Sequence, residues 1–202
     1  VQPGRFLNAK DLGSKEDGAD FQTVLIDETT NEIVVPNGTM GDRHTNPQKW
    51  NLRLENRNTG AKIDPRLSVF DQRQDVTVVK LPYFGDEEHE GVIERAIPTI
   101  TVQTVDGPVK VTTVYDLILA NYGIDRGIGG EVATAYTDDT PYTPTWQEKI
   151  TGVKADIAIA TAREFADNAE KTKGRSMIIM GGGINHWYHA DVIYRTILNL
   201  IM

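Results

Sequence analysis

Apolar positions follow two regimes along this chain. Through the first two thirds they come as short β-rich runs between polar turns. Through the last third they recur at helical spacing or in one continuous run. Runs at 23–26 and 33–35 flank Asp27-Glu28-Thr29-Thr30-Asn31, a loop suited to a hairpin, and Pro36-Asn37-Gly38 closes the second run with turn chemistry. Residues 41–49 read as a polar loop holding His44, 50–54 as a further strand, and Asn58-Thr59-Gly60 as its turn. Strands are expected at 76–81, 98–104 and 109–114, the last two joined through Val105-Asp106-Gly107-Pro108, where Asp-Gly signals a hairpin. Thr113 is placed to cap a helix over 114–121, with Gly123 ending it. After an exposed, Gly/Thr/Asp-rich connection at 125–141, Thr143-Pro144 opens a helix that stops near Thr151-Gly152. Another covers 154–168, its buried stripe centred on Ile157, Ala160 and Phe165.

The most informative stretch is 175–202. Residues 176–180 form an apolar run that suits a strand covered on both faces. Gly181, Gly182 and Gly183 follow at once; lacking Cβ atoms, they permit positive φ and close approach of a ligand to the backbone. Asn185, His186, Trp187, Tyr188 and His189 come next, then Asp191 as an N-cap and a helix carrying Ile193, Ile197, Leu198 and Ile201. A glycine turn between strand and helix can offer backbone N–H groups and a helix N-terminus to a phosphate. The pattern is not GxGxxG, and on local physics alone a tight turn packed into a core is the better account.

These elements predict a mixed α/β class: a β-rich, loop-rich part over 1–142 with a short helix near 114–121, then a helix–strand–helix α/β layer over 143–202.

Composition narrows the function. The 202 residues suffice for one domain with a real core or for two small ones. The net charge of −8 argues against a nucleic-acid backbone binder. No cysteine is present, so this chain holds no disulfide, thiolate metal ligand or cysteine-bound iron–sulfur cluster. No apolar run is long enough to span a bilayer. A start at Val1 and a stop at Met202 inside an apolar helix suggest a piece of a longer protein.

No catalytic and no metal-ligating residue is assigned. His186 and His189, three apart beside Asp191, would share a helix face as a metal pair, but the glycines favour a loop and no third ligand has a known spacing. The acidic cluster Asp86, Glu87, Glu88 and Glu90 with His89 reads as a solvated loop rather than a metal site. The binding reading gives Gly181, Gly182, Gly183, Asn185, His186 and Trp187 to a polar heterocycle: amide and imidazole for hydrogen bonds, indole for stacking. In the bland reading, Trp187 and Tyr188 are core aromatics and His189 caps a helix. Arg163 and Arg175 read as solvated charges.

Several segments carry a resemblance. YDLILANYGIDRGIGGE (115–131), TWQEKITGV (145–153), GRSMIIMGGGINHWYH (174–189) and IYRTILNLIM (193–202), with PGRFLNAKDL (3–12), VVPNG (34–38) and LPYFG (81–85), resemble the catalytic alpha subunit of membrane-bound respiratory nitrate reductases, within the molybdopterin oxidoreductase family. That resemblance implies a molybdenum ion held by two molybdopterin guanine dinucleotides, an iron–sulfur cluster, and reduction of nitrate to nitrite. The electrons would come from quinol through a beta (iron–sulfur) and a gamma (cytochrome b) subunit, at the cytoplasmic face of the membrane. It places residues 181–189 at the pterin cofactor. The family's cluster-binding segment and the segment supplying its aspartate to molybdenum find no counterpart here. The chain alone is therefore expected to hold no cofactor and to be inactive. The alternatives are a segment of a chlorate or perchlorate reductase, or a non-catalytic scaffolding module of the same fold.

Overall fold

A computed structural model describes residues 4–45, 51–83 and 91–200. The acidic cluster at 86–90, Trp50 and Ile201 lie outside the described residues. The chain forms two compact units, Val1–Ala155 and Asp156–Met202.

In the first unit, β1 (Leu25–Ile26) and β2 (Ile33–Val34) pair antiparallel, making the expected hairpin with a shorter ladder. Its loop is organised by the buried Asp27 carboxylate, which accepts from the Thr30 hydroxyl at 2.8 Å and the Asp64 N–H at 3.0 Å. The expected turn at 36–38 is in part a strand: β3 (Pro36–Asn37) pairs with β4 (Arg53–Asn56), and Gly38 turns the chain at φ 75°. A Cβ on Gly38 would lie 1.7 Å from the Asn51 carbonyl oxygen. The polar loop expected at 41–49 begins instead as a helix, α1 (Met40–Thr45). The buried Asp42 carboxylate accepts from the N–H groups of Gly38 and Thr39 just ahead of it, giving that turn the anchor of a capped helix.

The main sheet is a meander, β5 (Asp75–Tyr83), β6 (Gly91–Thr104) and β7 (Gly107–Val111). Strand β6 reaches seven residues further toward the N-terminus than the expected start at Pro98. Pro98 is tolerated because β7 pairs only with Ile100–Thr104, so at Pro98 the second edge of β6 is free of it. The Asp106-Gly107 hairpin forms, with Thr104 opposite Gly107 and Val105-Asp106 as its turn. Helix α2 (Val114–Asn121) has the expected bounds: Thr113 accepts the Asp116 N–H at its start, and Gly123 ends it at φ 71°.

Residues two apart on β5 and β6 bury one face of the sheet, Val79 and Leu81 with Ile93 and Ile97, against Ala120 of α2, with Leu117 and Tyr83 around them. Arg95 stands on the same face and is fully buried. Its guanidinium lies against Gly123, where a Cβ would sit 2.8 Å from Nη2. Burial pushes this guanidinium below its ordinary value, opposed by the nearby Glu131.

Buried Asp116 fastens α2 to the rest of the unit. Its carboxylate accepts from the Ser68 hydroxyl (2.7 Å), the Val69 N–H (2.9 Å), the Thr113 hydroxyl (2.8 Å) and Arg126 (2.5 Å). Arg126 also lies over the Phe70 ring, 4.1 Å from its centroid. Helix α3 (Pro144–Thr151) starts at Thr143, which accepts the Trp146 N–H, and ends at left-handed Gly152, as its sequence predicts.

The second unit is mostly α4 (Ala155–Thr172), a turn longer than expected. It ends where Lys173 and Gly174 turn left-handed and the Gly174 N–H reaches the Ala169 carbonyl at 2.7 Å. Its half-buried positions are Ala155, Ala158, Ile159, Phe165, Ala169 and Thr172, not Ile157, which is 56% exposed, or Ala160. Four consecutive apolar residues at 157–160 leave the stripe's phase open to periodicity alone. The expected strand at 176–180 is not a strand: no ladder pairs with it among the described residues. A strand exists through its partner's hydrogen bonds, and none is offered here. Helix α5 (Ala190–Leu198) follows, with His189 rather than Asp191 at the N-cap and Asp191 inside the first turn. Among the described residues no helix is long and apolar enough to cross a membrane.

Removing the Asp116 carboxylate leaves the buried Val69 N–H and the half-buried Arg126 guanidinium, Ser68 and Thr113 without their acceptor. Asp116→Ala is expected to cost about 3 kcal/mol in urea unfolding, whereas exposed Glu170→Ala should shift the midpoint little.

Candidate functional site

The glycine loop is held at its entrance by α4. The Ser176 hydroxyl donates to the Phe165 carbonyl at 2.8 Å and accepts from the Asn168 amide at 2.9 Å. The Arg175 N–H donates to the Thr172 hydroxyl at 3.1 Å. Beyond Ser176 the chain runs out as an exposed apolar segment, with Met177 at 75% and Ile179 at 83% exposure.

Gly181, Gly182 and Gly183 all lie outside the left-handed region, and Gly183 has an ordinary helical φ of −59°. The expectation that they serve positive φ is therefore corrected. A Cβ at any of them would meet nothing within 4 Å. Neither conformation nor crowding by the described residues requires glycine there. The contrast is Gly130, at φ 87°, where a Cβ would fall 2.6 Å from the Ala96 nitrogen.

A single 3-10 turn, Ile184–His186, follows the glycines and places Asn185, His186 and Trp187 on one exposed loop. The Asn185 side-chain oxygen accepts a short hydrogen bond from the Tyr194 hydroxyl of α5. Tyr194 is a contributor that sequence reading did not single out, because nothing in the spacing announces a side-chain contact nine residues on. Tyr188 stacks edge-on against His189, ring centroids 4.5 Å apart. Trp187 and Tyr188 are exposed rather than core aromatics. Among the described residues no group of three or more His, Asp or Glu side chains gathers as a metal site. The loop thus offers bare backbone, an amide pinned by a tyrosine, an imidazole and an exposed indole. That set suits hydrogen bonding and stacking on a heterocycle.

A different feature, in the first unit, is a cavity of about 160 Å³ lined by Tyr83, Pro141, Trp146 and Ile150, with the Lys149–Asp139 ion pair beside it. It shares no residue with the glycine loop.

The glycines separate by experiment. Gly182→Ala should leave the chain's unfolding free energy within about 0.5 kcal/mol. Gly130→Ala should lower it by more than about 1 kcal/mol, through strain and a backbone clash. Paired denaturation curves check both.

No protein-family model matches the chain. It is 47% identical over 199 residues to the nitrate reductase alpha chain of Bacillus subtilis, a match covering 98% of this chain and 16% of that protein. To the respiratory nitrate reductase 1 alpha chain of Escherichia coli it is 44% identical over 212 residues, covering 98% of this chain and 17% of that one. The alpha subunit of a perchlorate reductase from Dechloromonas aromatica matches only 53 residues, 26% of the chain, at 49% identity. The chain thus spans about one sixth of the length of the curated relatives it matches from end to end. Identity at this level along nearly all of its residues makes the chain a segment belonging to the nitrate reductase alpha-chain family.

Proposed function

We propose that this chain is an internal part of the catalytic subunit of a molybdenum-dependent nitrate reductase, and that residues 181–187 line the pterin–guanine dinucleotide of its cofactor. The end-to-end match to nitrate reductase alpha chains carries the reading. The loop's chemistry supports it. Three exposed glycines leave free space for a ligand against the backbone, and among the described residues no side chain competes for that space. Asn185 and His186 offer donors and acceptors to a guanine or pterin edge, and Trp187 a stacking face. Tyr194 fixes the rotation of the Asn185 amide through its hydroxyl.

The bound molybdenum would supply the two-electron reduction that turns nitrate, with two protons, into nitrite and water. The residues here bind and orient; none is assigned to the reacting atoms. An iron–sulfur cluster elsewhere in the subunit would feed the electrons, which beta and gamma partner subunits would deliver from quinol at the cytoplasmic face of the membrane. With no cysteine for a cluster and no segment matching the molybdenum-ligating aspartate, the 202-residue chain alone should show no nitrate reduction. A reductase for chlorate or perchlorate is a second reading, favoured only by the 53-residue match.

The test uses the longer subunit. Because a Cβ at position 182 meets nothing within 4 Å among the described residues, Gly182→Val should leave folding intact while its branched side chain takes the ligand's space. Molybdenum and pterin content should fall several-fold, with Glu170→Ala as control. Full occupancy and normal nitrate turnover in Gly182→Val would leave the loop a plain connection. Rates on nitrate against chlorate decide between the two substrates.

A further inference from the structure

We propose that the half-open cavity beside α3, in the first unit, is a binding site for a small, uncharged molecule carrying a single aromatic ring. The site shares no residue with the glycine loop and does not depend on the role given to that loop.

Its walls come from β5, from α3 and from the segment between 134 and 143. Tyr83 ends β5, Pro141 lies just ahead of α3, and Trp146 and Ile150, four apart, share a face of that helix. These four make the lining apolar, and two of them bring aromatic rings. Asp139 and Lys149 also line the cavity, but they pair with each other, so a ligand meets no uncompensated charge. A neutral ring gains burial and ring–ring contact there, whereas an ionised group would lose its hydration without finding a partner. The volume is about 160 Å³. That is the size of one substituted ring, since an apolar cavity of about 150 Å³ takes up benzene.

The residues behind the cavity hold it open at a cost. Tyr142 has a left-handed φ of 76° although it is not glycine. A bulky residue persists in that region only where its surroundings over-determine it, and such outliers gather at ligand clamps. Here the Tyr142 ring lies 5.2 Å from that of Trp146 and 6.0 Å, edge-on, from that of Tyr122. Its hydroxyl donates to the Pro82 carbonyl at 3.5 Å, which ties the α3 wall to the strand carrying Tyr83. The preceding segment is fixed as well. The Asp138 carboxylate accepts from the Thr134 N–H (2.7 Å), the Thr134 hydroxyl (2.9 Å) and the Ala135 N–H (3.0 Å). The Thr143 hydroxyl donates to the Asp138 carbonyl at 2.6 Å and accepts the Trp146 N–H at 3.2 Å. Walls set in this way are formed before a ligand arrives, which cuts the ordering cost of binding. A side chain offered by another polypeptide would bring its backbone over the half-exposed Lys149–Asp139 pair and strip it of water. A free ring avoids that loss.

The test titrates para-fluorophenol, uncharged at neutral pH, into the longer subunit and follows its fluorine NMR signal. Binding should saturate with a Kd of about 1 mM or below. The charged para-fluorobenzoate should bind at least about tenfold more weakly. Ile150→Trp puts a larger side chain at a half-exposed wall position and leaves the other walls in place. It should weaken para-fluorophenol at least about tenfold without lowering the melting temperature of the subunit. Crystals of the wild-type subunit soaked in para-iodophenol should show the iodine between Tyr83 and Trp146, a readout that stands even if Ile150→Trp does not fold. Unchanged affinity in a folded Ile150→Trp subunit would overturn the proposal. So would benzoate binding as tightly as phenol, or wild-type crystals in which a side chain of the longer polypeptide already fills the cavity.

Discussion

The first unit depends on one carboxylate. Asp116 lies in the first turn of α2, where its own N–H is taken by Thr113, and its side chain collects donors from Ser68 and Val69, forty-seven residues or more earlier, and from Arg126, ten residues later. Through it a connecting segment, a helix start and the loop beyond the helix share a single acceptor. The helix it holds closes the core over Val79, Leu81, Ile93 and Ile97. Charge-assisted hydrogen bonds of this kind are worth roughly twice neutral ones. Their greater effect here is directional, since α2 can dock on the sheet only with its N-terminus over Ser68.

Arg95 shows the cost of building that core around a cation. Its stem shares the apolar face of β6, and the chain thins to glycine at two left-handed turns beside it, Gly123 against the guanidinium and Gly130 against the backbone of Arg95 and Ala96. At Gly130 the backbone also bridges to Arg95 itself, and the Glu131 N–H then bonds the Glu94 carbonyl, so the segment closes the stretch of β6 edge that β7 does not reach. Glycine in these places answers to sterics inside the chain: a Cβ would strike the guanidinium or the strand backbone.

What the sequence revealed divides along the same line. Elements specified by neighbours in sequence were legible. Thr113 before α2, Thr143-Pro144 before α3, the Asp106-Gly107 hairpin and the Asp27 loop all carry their signal within a few residues. Elements specified across the fold were not. The backward reach of β6 depends on β5 pairing as far as Gly91, and α1 depends on where the Asp42 carboxylate is aimed. The phase of α4 was ambiguous because four apolar residues in a row satisfy any stripe. At the loop, the run of glycines followed by Asn185, His186 and Trp187 stood out in the sequence, but not the hydroxyl of Tyr194 on Asn185, nor the ordinary backbone of the glycines.

That last point bears on why the glycine triplet exists. Glycine destabilises a folded chain by enlarging the entropy it loses, so three in succession call for a compensating reason. At Gly38, Gly123 and Gly130 the reason is visible as positive φ and close contact. At Gly181, Gly182 and Gly183 neither is present, and the flanking aromatic and apolar groups face outward as well. Both features, glycines with no cause among the described residues and a four-residue apolar run with no ladder there, fall on the seven residues 177–183 of a family segment one sixth the length of its relatives. Under the proposed function a bound dinucleotide would take the space in front of the loop, which the described residues leave open.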